Sequence, residues 1–301
     1  MDKIKAVIVG WGNVGRFVKR AIEESLDIEL VGVIRRLSSL NKTVPELEGI
    51  AVASDPEELP AFDVAIVTVP SREAPDKVKE LLKKGYACVD SFDVHDQIYA
   101  TKEALTKIAK ASGAVSIFGA GWDPGTDSAV RVLMRMTSPL GMTTTTFGGR
   151  KGGRSMGHTA AVKAIAGVKN AVALTLPNGR GKQKRQVYIE LEEGADFEQI
   201  TDKIRHDPYF IADPTDVVAV EDISPFDTLN HGGRIERTTN DVAARYEVEG
   251  INPYMTANVL VSAARAAYRA RQAGDFGAYT LIERPLVDYL PGSLEERLKG
   301  Y

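Results

Sequence analysis

Ile4-Lys5-Ala6-Val7-Ile8-Val9-Gly10-Trp11-Gly12-Asn13-Val14-Gly15 is the stretch on which the fold turns. A short aliphatic run predicts a buried strand, and Val14, Val18, Ala21 and Ile22 then recur at helical spacing. Between them lies G-x-G-x-x-G. The first glycine permits a tight turn, the second lets the backbone approach a pyrophosphate, and the third lets helix and strand pack closely. The helix N-terminus adds unpaired N–H groups and partial positive charge, which suit a phosphate. Gly10, Gly12, Asn13, Val14 and Gly15 are therefore the expected pyrophosphate-binding residues of a dinucleotide site.

The next apolar run, Ile28 to Ile34, ends at Arg35-Arg36, about 20 residues beyond the turn. An NAD-selective site carries an acid at that distance for the ribose 2′-hydroxyl, whereas arginine suits a 2′-phosphate. Charge-assisted hydrogen bonds of about 1.5–3 kcal/mol each amount to one or two decades of preference. The bland alternative is a solvated basic strand end. The expected cofactor is NADP(H), with Arg35 and Arg36 at its phosphate.

Working outward, Asp63 to Val69 predicts a strand, followed by a helix through Val78, Leu81 and Leu82 that stops at Gly85. Tyr86 to Val89, a helix from about Asp96 to Ser112, and Val115 to Phe118 continue the alternation. Strands separated by such helices form right-handed crossovers in a parallel sheet. Near residue 140 the pattern changes. Thr143 to Phe147, Val172 to Leu176, Val187 to Leu191, Val217 to Val220 and Arg245 to Val248 predict strands, with helices near Thr159–Ile165 and Phe197–Ile204. An Ala-rich helix from Pro253 to about Ala273 then returns to the first domain. The expected class is α/β: a Rossmann-type doubly wound parallel sheet with a second α+β domain holding an open sheet. The expected domains are residues 1–120, completed by about 253–301, and residues 121–252.

Composition narrows the function. In 301 residues, Lys+Arg 38 against Asp+Glu 41 gives a net charge of -3, with no basic excess to hold nucleic acid. Apolar runs such as Val64 to Val69 fall far short of the ~20 residues of a membrane span, and Gly10 comes too early for a signal-peptide core. Cys88 is the one cysteine, so no intramolecular disulfide forms. His95, His158, His206 and His231 show no H-x-x-x-H spacing, so no metal centre is expected. Neither a nucleotide-hydrolysing P-loop nor a serine nucleophile elbow is present. The expectation is a cytoplasmic protein with a small-molecule substrate and no nucleic-acid or membrane partner.

Two acidic stretches follow strands of the first domain, where ligands of open α/β sheets bind: Val89-Asp90-Ser91-Phe92-Asp93-Val94-His95 and Gly121-Trp122-Asp123-Pro124-Gly125-Thr126-Asp127. On position alone Asp123 is also a good N-cap for a helix through Val130 and Leu133, and Asp93 a cap for the helix after it. With Ser155-Met156-Gly157-His158, Leu174-Thr175-Leu176-Pro177 and Asn252-Pro253, these stretches closely resemble the meso-diaminopimelate dehydrogenase family. The resemblance runs from Gly10 to Val287-Asp288-Tyr289-Leu290-Pro291-Gly292, and Gly-Trp-Asp-Pro-Gly is its most specific element.

The resemblance implies oxidation of the D-centre of meso-2,6-diaminopimelate to L-2-amino-6-oxopimelate, with release of ammonia and reduction of NADP, in lysine biosynthesis. It also implies a homodimer formed through the second, substrate-binding domain. Each end of that substrate is a zwitterion, and every charge left stranded in the pocket costs on the order of several kcal/mol. Asp93 and Asp123 match the family positions that hold the D-centre amino group and relay its proton. Thr175, Arg185 and His231 match those that grip the distal carboxylate, and Asn252 matches one that contacts substrate through its amide. Trp122, Phe147 and Met156 are expected to wall the methylene chain.

Taken singly, each has a plainer explanation. Thr175 is a strand residue, Arg185 belongs to the charge run Lys182-Gln183-Lys184-Arg185, and His231 lies in the turn His231-Gly232-Gly233. Asn252 is an N-cap by default, the three apolar residues are core, and His158 is either a pocket residue or a structural histidine. Two departures from the family pattern flank the pocket. The segment Gly148-Gly149-Arg150-Lys151-Gly152-Gly153-Arg154 is longer and more basic, and Met156 stands where relatives carry a polar side chain. Both point to a wider substrate range. The alternatives are a broad-specificity D-amino-acid dehydrogenase and a non-catalytic NADP-binding sensor.

Overall fold

The computed structural model describes residues 3–149, 152–227 and 230–299. Arg150 and Lys151 of the glycine-basic stretch lie outside the described residues. In chain order the elements are β1 (Ile4–Val9), α1 (Asn13–Glu23), β2 (Ile28–Ile34), β3 (Ala51–Ala53), β4 (Val64–Val67), α2 (Ala74–Lys83), β5 (Ala87–Asp90), α3 (Ile98–Ser112), β6 (Val115–Ile117) and α4 (Thr126–Thr137). There follow β7 (Met142–Phe147), β8 (Gly153–Arg154), α5 (Met156–Lys163), β9 (Val168–Pro177), β10 (Gln183–Leu191), α6 (Phe197–His206), β11 (Thr215–Ala219), β12 (Asn230–Thr238) and β13 (Ala243–Ile251). Last come α7 (Asn252–Gln272), β14 (Gly277–Tyr279) and α8 (Leu294–Lys299).

The chain divides into two compact units, Met1–Ala129 with Pro253–Tyr301, and Val130–Asn252. The first is built on a seven-stranded sheet of order β14-β6-β5-β4-β1-β2-β3 in which every pairing is parallel. Both faces are covered, which is why its strands read as unbroken apolar runs. Along β1, Ala6 and Ile8 pack with Val18 and Ile22 of α1 and Ala257, Leu260 and Ala264 of α7. Val7 and Val9 face the other way, toward Val78 and Leu82 of α2 and Leu105 of α3. Alanines let α7 lie close to the sheet, and Arg265 ties it down by forking onto Asp27 at 2.7 and 2.8 Å. The strand order reverses between β1 and β4, so the crevice for a ligand opens beyond the C-terminal ends of these two strands.

Residues 121–129, expected with the second domain, belong to this first unit. The reason is local: a turn from Gly121 to Gly125 closes against the loop after β5, where a Cβ on Gly121 would sit 3.3 Å from Ser91 Cβ.

The second unit differs from the single open sheet expected. It holds two sheets, a four-stranded one of order β11-β10-β9-β8 and a three-stranded antiparallel one of order β13-β12-β7. On the first, Val162 of α5 and Ile200 and Ile204 of α6 pack over Ala171, Ala173, Val187 and Ile189. The sequence reading missed β12 because Gly232-Gly233 has the look of a turn. His231 is in fact a strand residue paired with Gly250. A Cβ at Gly232 would lie 2.4 Å from the Val248 carbonyl oxygen, so this glycine serves close backbone approach inside a sheet.

Candidate active site

In the first unit the glycine turn is accounted for residue by residue. Gly10 takes φ +100, which favours glycine. A Cβ on Gly15 would stand 2.6 Å from the Gly10 carbonyl oxygen, so the third glycine is required for α1 to reach β1. Gly12 has neither reason: its φ is -111 and an added Cβ would meet nothing within 4 Å. The space before it is open, as a pyrophosphate requires. The N-cap is Gly12, which has no side chain to offer, and no acid lies in the first turn of α1, so the leading N–H groups, including those of Asn13 and Val14, face that space. These residues fit a dinucleotide. Thr68 after β4 braces the turn, its hydroxyl donating to the Gly10 carbonyl at 2.9 Å.

Beyond β2, Arg35 donates to the Lys42 carbonyl at 3.0 Å and Arg36 contacts both Glu73 carboxylate oxygens at 2.9 Å, all exposed. Arg36 thus already meets an anion, through a single nitrogen shared between both oxygens.

The two acidic stretches converge. Gly121 N–H donates to the Pro124 carbonyl at 3.0 Å, and the peptide between Asp123 and Pro124 is cis. Gly125 takes φ +140, and a Cβ there would lie 1.8 Å from the Gly121 carbonyl oxygen, so the ring closes only with glycine. The N–H groups of Thr126 and Asp127 donate to the carbonyls of Gly121 and Trp122. Backbone carbonyls thus take the N–H groups of Thr126 and Asp127, and the residue before α4 is Gly125, so Asp123 does not occupy the N-cap position. Asp93 is not a cap either, for the short helical turn after it is preceded by Val94 and has no side-chain cap. Asp93 Oδ1 is buried and lacks a hydrogen-bond partner among the described residues. Asp123 Oδ2 lies 3.6 Å from His95 Nε2, and Trp122 is buried in the same ring.

In the second unit Arg185 is 8% exposed, whereas the neighbouring Lys184 side chain is 39% exposed. Strand alternation sends alternate members of one charge run to opposite faces, and the solvated-run reading of Arg185 fails. Arg185 pairs with Thr175 in register across β10 and β9, and its Nη1 donates to the Thr175 hydroxyl. Its Nε and Nη2 engage Asp213 Oδ2 at 2.9 and 2.6 Å. Gly153 of β8 sits opposite Thr175, and a Cβ on it would lie 2.4 Å from His231 Nδ1. Thr175, Arg185 and His231 are thus brought together. Gly148 lies close against β9, where a Cβ on it would meet the Thr175 carbonyl oxygen at 2.3 Å, and Phe147 before it pairs with Gly233 of β12.

Met156 opens α5, half-buried, and Ser155 before it contacts His158 Nδ1 at 2.6 Å. Asn252 is the first residue of α7 rather than the residue before it, and follows Ile251, the partner of Asn230 beside His231. Three residues escaped the sequence reading: Asp90 at the end of β5, His95 beside Asp123, and Asp213 beside Arg185. The one signal for Asp90 was an acid closing an apolar strand; nothing local marks the other two.

Residues 4–89 match the family model described as oxidoreductase family, NAD-binding Rossmann fold, and residues 121–249 match the diaminopimelic acid dehydrogenase C-terminal domain. Fold and site define an oxidoreductase on an NAD(P)-binding Rossmann domain. A meso-diaminopimelate D-dehydrogenase of Bacteroides fragilis is 43% identical over 98% of this chain and 98% of its own. The solved C. glutamicum DAP dehydrogenase in complex with DAP superposes with a TM-score of 0.85 at 27% identity, covering 99% of each chain. An engineered D-amino acid dehydrogenase bound to NADP+ gives 0.81 at 27% identity, again over 99% of each. The chain belongs to the meso-diaminopimelate D-dehydrogenase family and is an amino-acid dehydrogenase.

Burial, and then the Arg185 cation, hold the His158 imidazole down to about 3 and His231 down to about 4. Both are neutral at pH 7. In the unfolded chain each takes a proton near pH 6.5, while the folded protein binds none until pH 4 or 3. Stability present above pH 6.5 is therefore lost as pH falls, by at most about 1.4 kcal/mol per unit for each histidine. His158→Gln is expected to flatten the fall in urea midpoint between pH 6.5 and 4.5; a slope unchanged from wild type would show that His158 is not neutral in the fold.

Proposed function

We propose that the chain catalyses the reversible, NADP-dependent oxidative deamination of the D-centre of meso-2,6-diaminopimelate to L-2-amino-6-oxopimelate and ammonia, a reaction of lysine biosynthesis. The observation that carries this reading is the buried Arg185 with Thr175 at its guanidinium and neutral His231 alongside. Asp213 and Thr175 hold the buried Arg185 in place, and its planar guanidinium suits a distal carboxylate. Asp213 leaves that pocket with one charge of each sign, matching the zwitterion of the L-centre.

When bound, NADP supplies a hydride acceptor. Gly10, Gly12, Asn13, Val14 and Gly15 would hold its pyrophosphate, and Arg35 and Arg36 would hold its 2′-phosphate. The D-centre ammonium must lose a proton before hydride can leave its carbon, because the nitrogen lone pair forms the imine. Asp93 and Asp123 hold that nitrogen, fix which hydrogen faces the cofactor, and take the proton. Water then adds to the imine and ammonia leaves. Trp122, Phe147 and Met156 wall the methylene chain and Asn252 contributes its amide.

Family relationship extends the reading to a cytoplasmic homodimer assembled through the second unit, where Met136, Leu140 and Met142 are 74%, 85% and 66% exposed. A second reading, a dehydrogenase of simpler D-amino acids, is favoured by apolar Met156.

Following NADPH absorbance with the three stereoisomers tests the proposal. Turnover is expected with meso- and not with LL-diaminopimelate; equal rates on D-alanine would favour the second reading, and no turnover on any isomer would reject the first. Asp123→Asn is expected to lower kcat at least 100-fold, within the range for a lost general base, with NADPH affinity within twofold; undiminished turnover would contradict its role. Arg35→Ala with Arg36→Ala is expected to raise KM for NADP(H) by one to two decades and to leave NAD(H) nearly unchanged; equal effects on both cofactors would remove the phosphate assignment.

A further inference from the structure

Asp90 closes β5 fully buried, and the chemistry above does not use it. Its neighbours along the strand, Ala87, Cys88 and Val89, are equally buried and apolar, so the core would be served better by an aliphatic residue there. A buried carboxyl is costly unless its hydrogen bonds repay the loss of water. Asp90 Oδ1 accepts from Phe92 N–H at 2.8 Å and from Gly119 N–H at 3.2 Å. Its main-chain carbonyl accepts from Ala120 N–H at 2.7 Å.

These donors are informative by position. Phe92 immediately precedes Asp93, while Gly119 and Ala120 lead into the ring that carries Trp122 and Asp123. The loops also touch directly, through stacked Phe92 and Phe118 rings 4.9 Å apart and through Gly121 against Ser91. Strand pairing and the Ala120 bond to the Asp90 carbonyl set the register at the roots of the loops; one side-chain oxygen bonded to both Phe92 and Gly119 carries the link outward to the residue next to Asp93.

We propose that Asp90 is a positioning residue that clips the two substrate loops together and so sets where Asp93 and Asp123 stand relative to each other. This rests on the reading of those two aspartates as the groups that hold the D-centre nitrogen. Burial lifts the Asp90 carboxyl to about 7; an amide keeps the Oδ1 acceptor and sets its NH2 in place of Oδ2, which has no partner among the described residues.

Asp90→Ala removes both side-chain hydrogen bonds; Asp90→Asn keeps them. With Asp90→Ala, kcat for meso-diaminopimelate is expected to fall at least tenfold and KM for the amino substrate to rise. KM for NADP should stay within twofold, and Asp90→Asn should restore kcat to within about threefold of wild type. Should the alanine variant fail to fold, Asp90→Ser, which keeps a shorter acceptor, is expected to fold and to show the same kcat loss with KM for NADP within twofold; wild-type kcat in that variant would overturn the clip. Hydrogen exchange supplies a readout independent of turnover: the Phe92 and Gly119 amides should be protected in wild type and Asp90→Asn and should exchange at least tenfold faster in Asp90→Ala. Unaltered exchange, an Ala variant with wild-type kcat, or an Asn variant as impaired as Ala would overturn the clip. Accelerated exchange in a protein inactive on every isomer would leave the clip standing and remove the substrate reading instead.

Discussion

Between Gly15 and the carbonyl oxygen of Gly10 there is room for a hydrogen and not for a methyl group. That contact draws α1 against β1, and its consequences spread outward. With the helix so placed, its first N–H groups face the crevice where the strand order reverses, and Thr68 from β4 can reach the Gly10 carbonyl. The open space before Gly12 follows from the same geometry. A parallel sheet aligns the ends of all its strands at one edge, so the loops after β5 and β6 emerge on the same rim as the glycine turn.

The harder physical problem is to keep charge in places from which water is excluded. In the second unit Arg185 is admitted because Asp213 and Thr175 bond to it and because the two nearby imidazoles give up their protons. A charged histidine beside Arg185 would add repulsion to desolvation. In the first unit backbone N–H groups do the corresponding work for Asp90. Arg185 is thus held by side-chain partners and Asp90 by the main chain.

How much of this could be read beforehand depends on whether the cause was local. The glycine turn and the doubly wound sheet were legible because strands buried on both faces show as apolar runs and the motif occupies consecutive residues. The acidic stretches were legible as loops at strand ends. Arg185 could be matched to a family position, yet its burial was not legible, since Lys182-Gln183-Lys184-Arg185 reads as a solvated run until the register against Thr175 divides it. His231 was misplaced in a turn because a glycine pair that serves strand packing looks like one that serves chain reversal. Glu73, 37 residues from Arg36, and Asp213, 28 from Arg185, become partners only through tertiary structure. No pattern along the chain announces them.

The return of the chain to its first unit has a bearing on synthesis. Helix α7 supplies a large share of one face of the nucleotide-binding core, and β14 pairs along the edge of β6. On the ribosome, residues 1–129 therefore emerge with one flank of their sheet uncovered and an edge strand unpaired, and must wait while the contiguous segment 130–252 is made and can close on itself. The order of completion is inside out: residues 130–252 are in place before residues 253–301 arrive to finish the unit that residues 1–129 began.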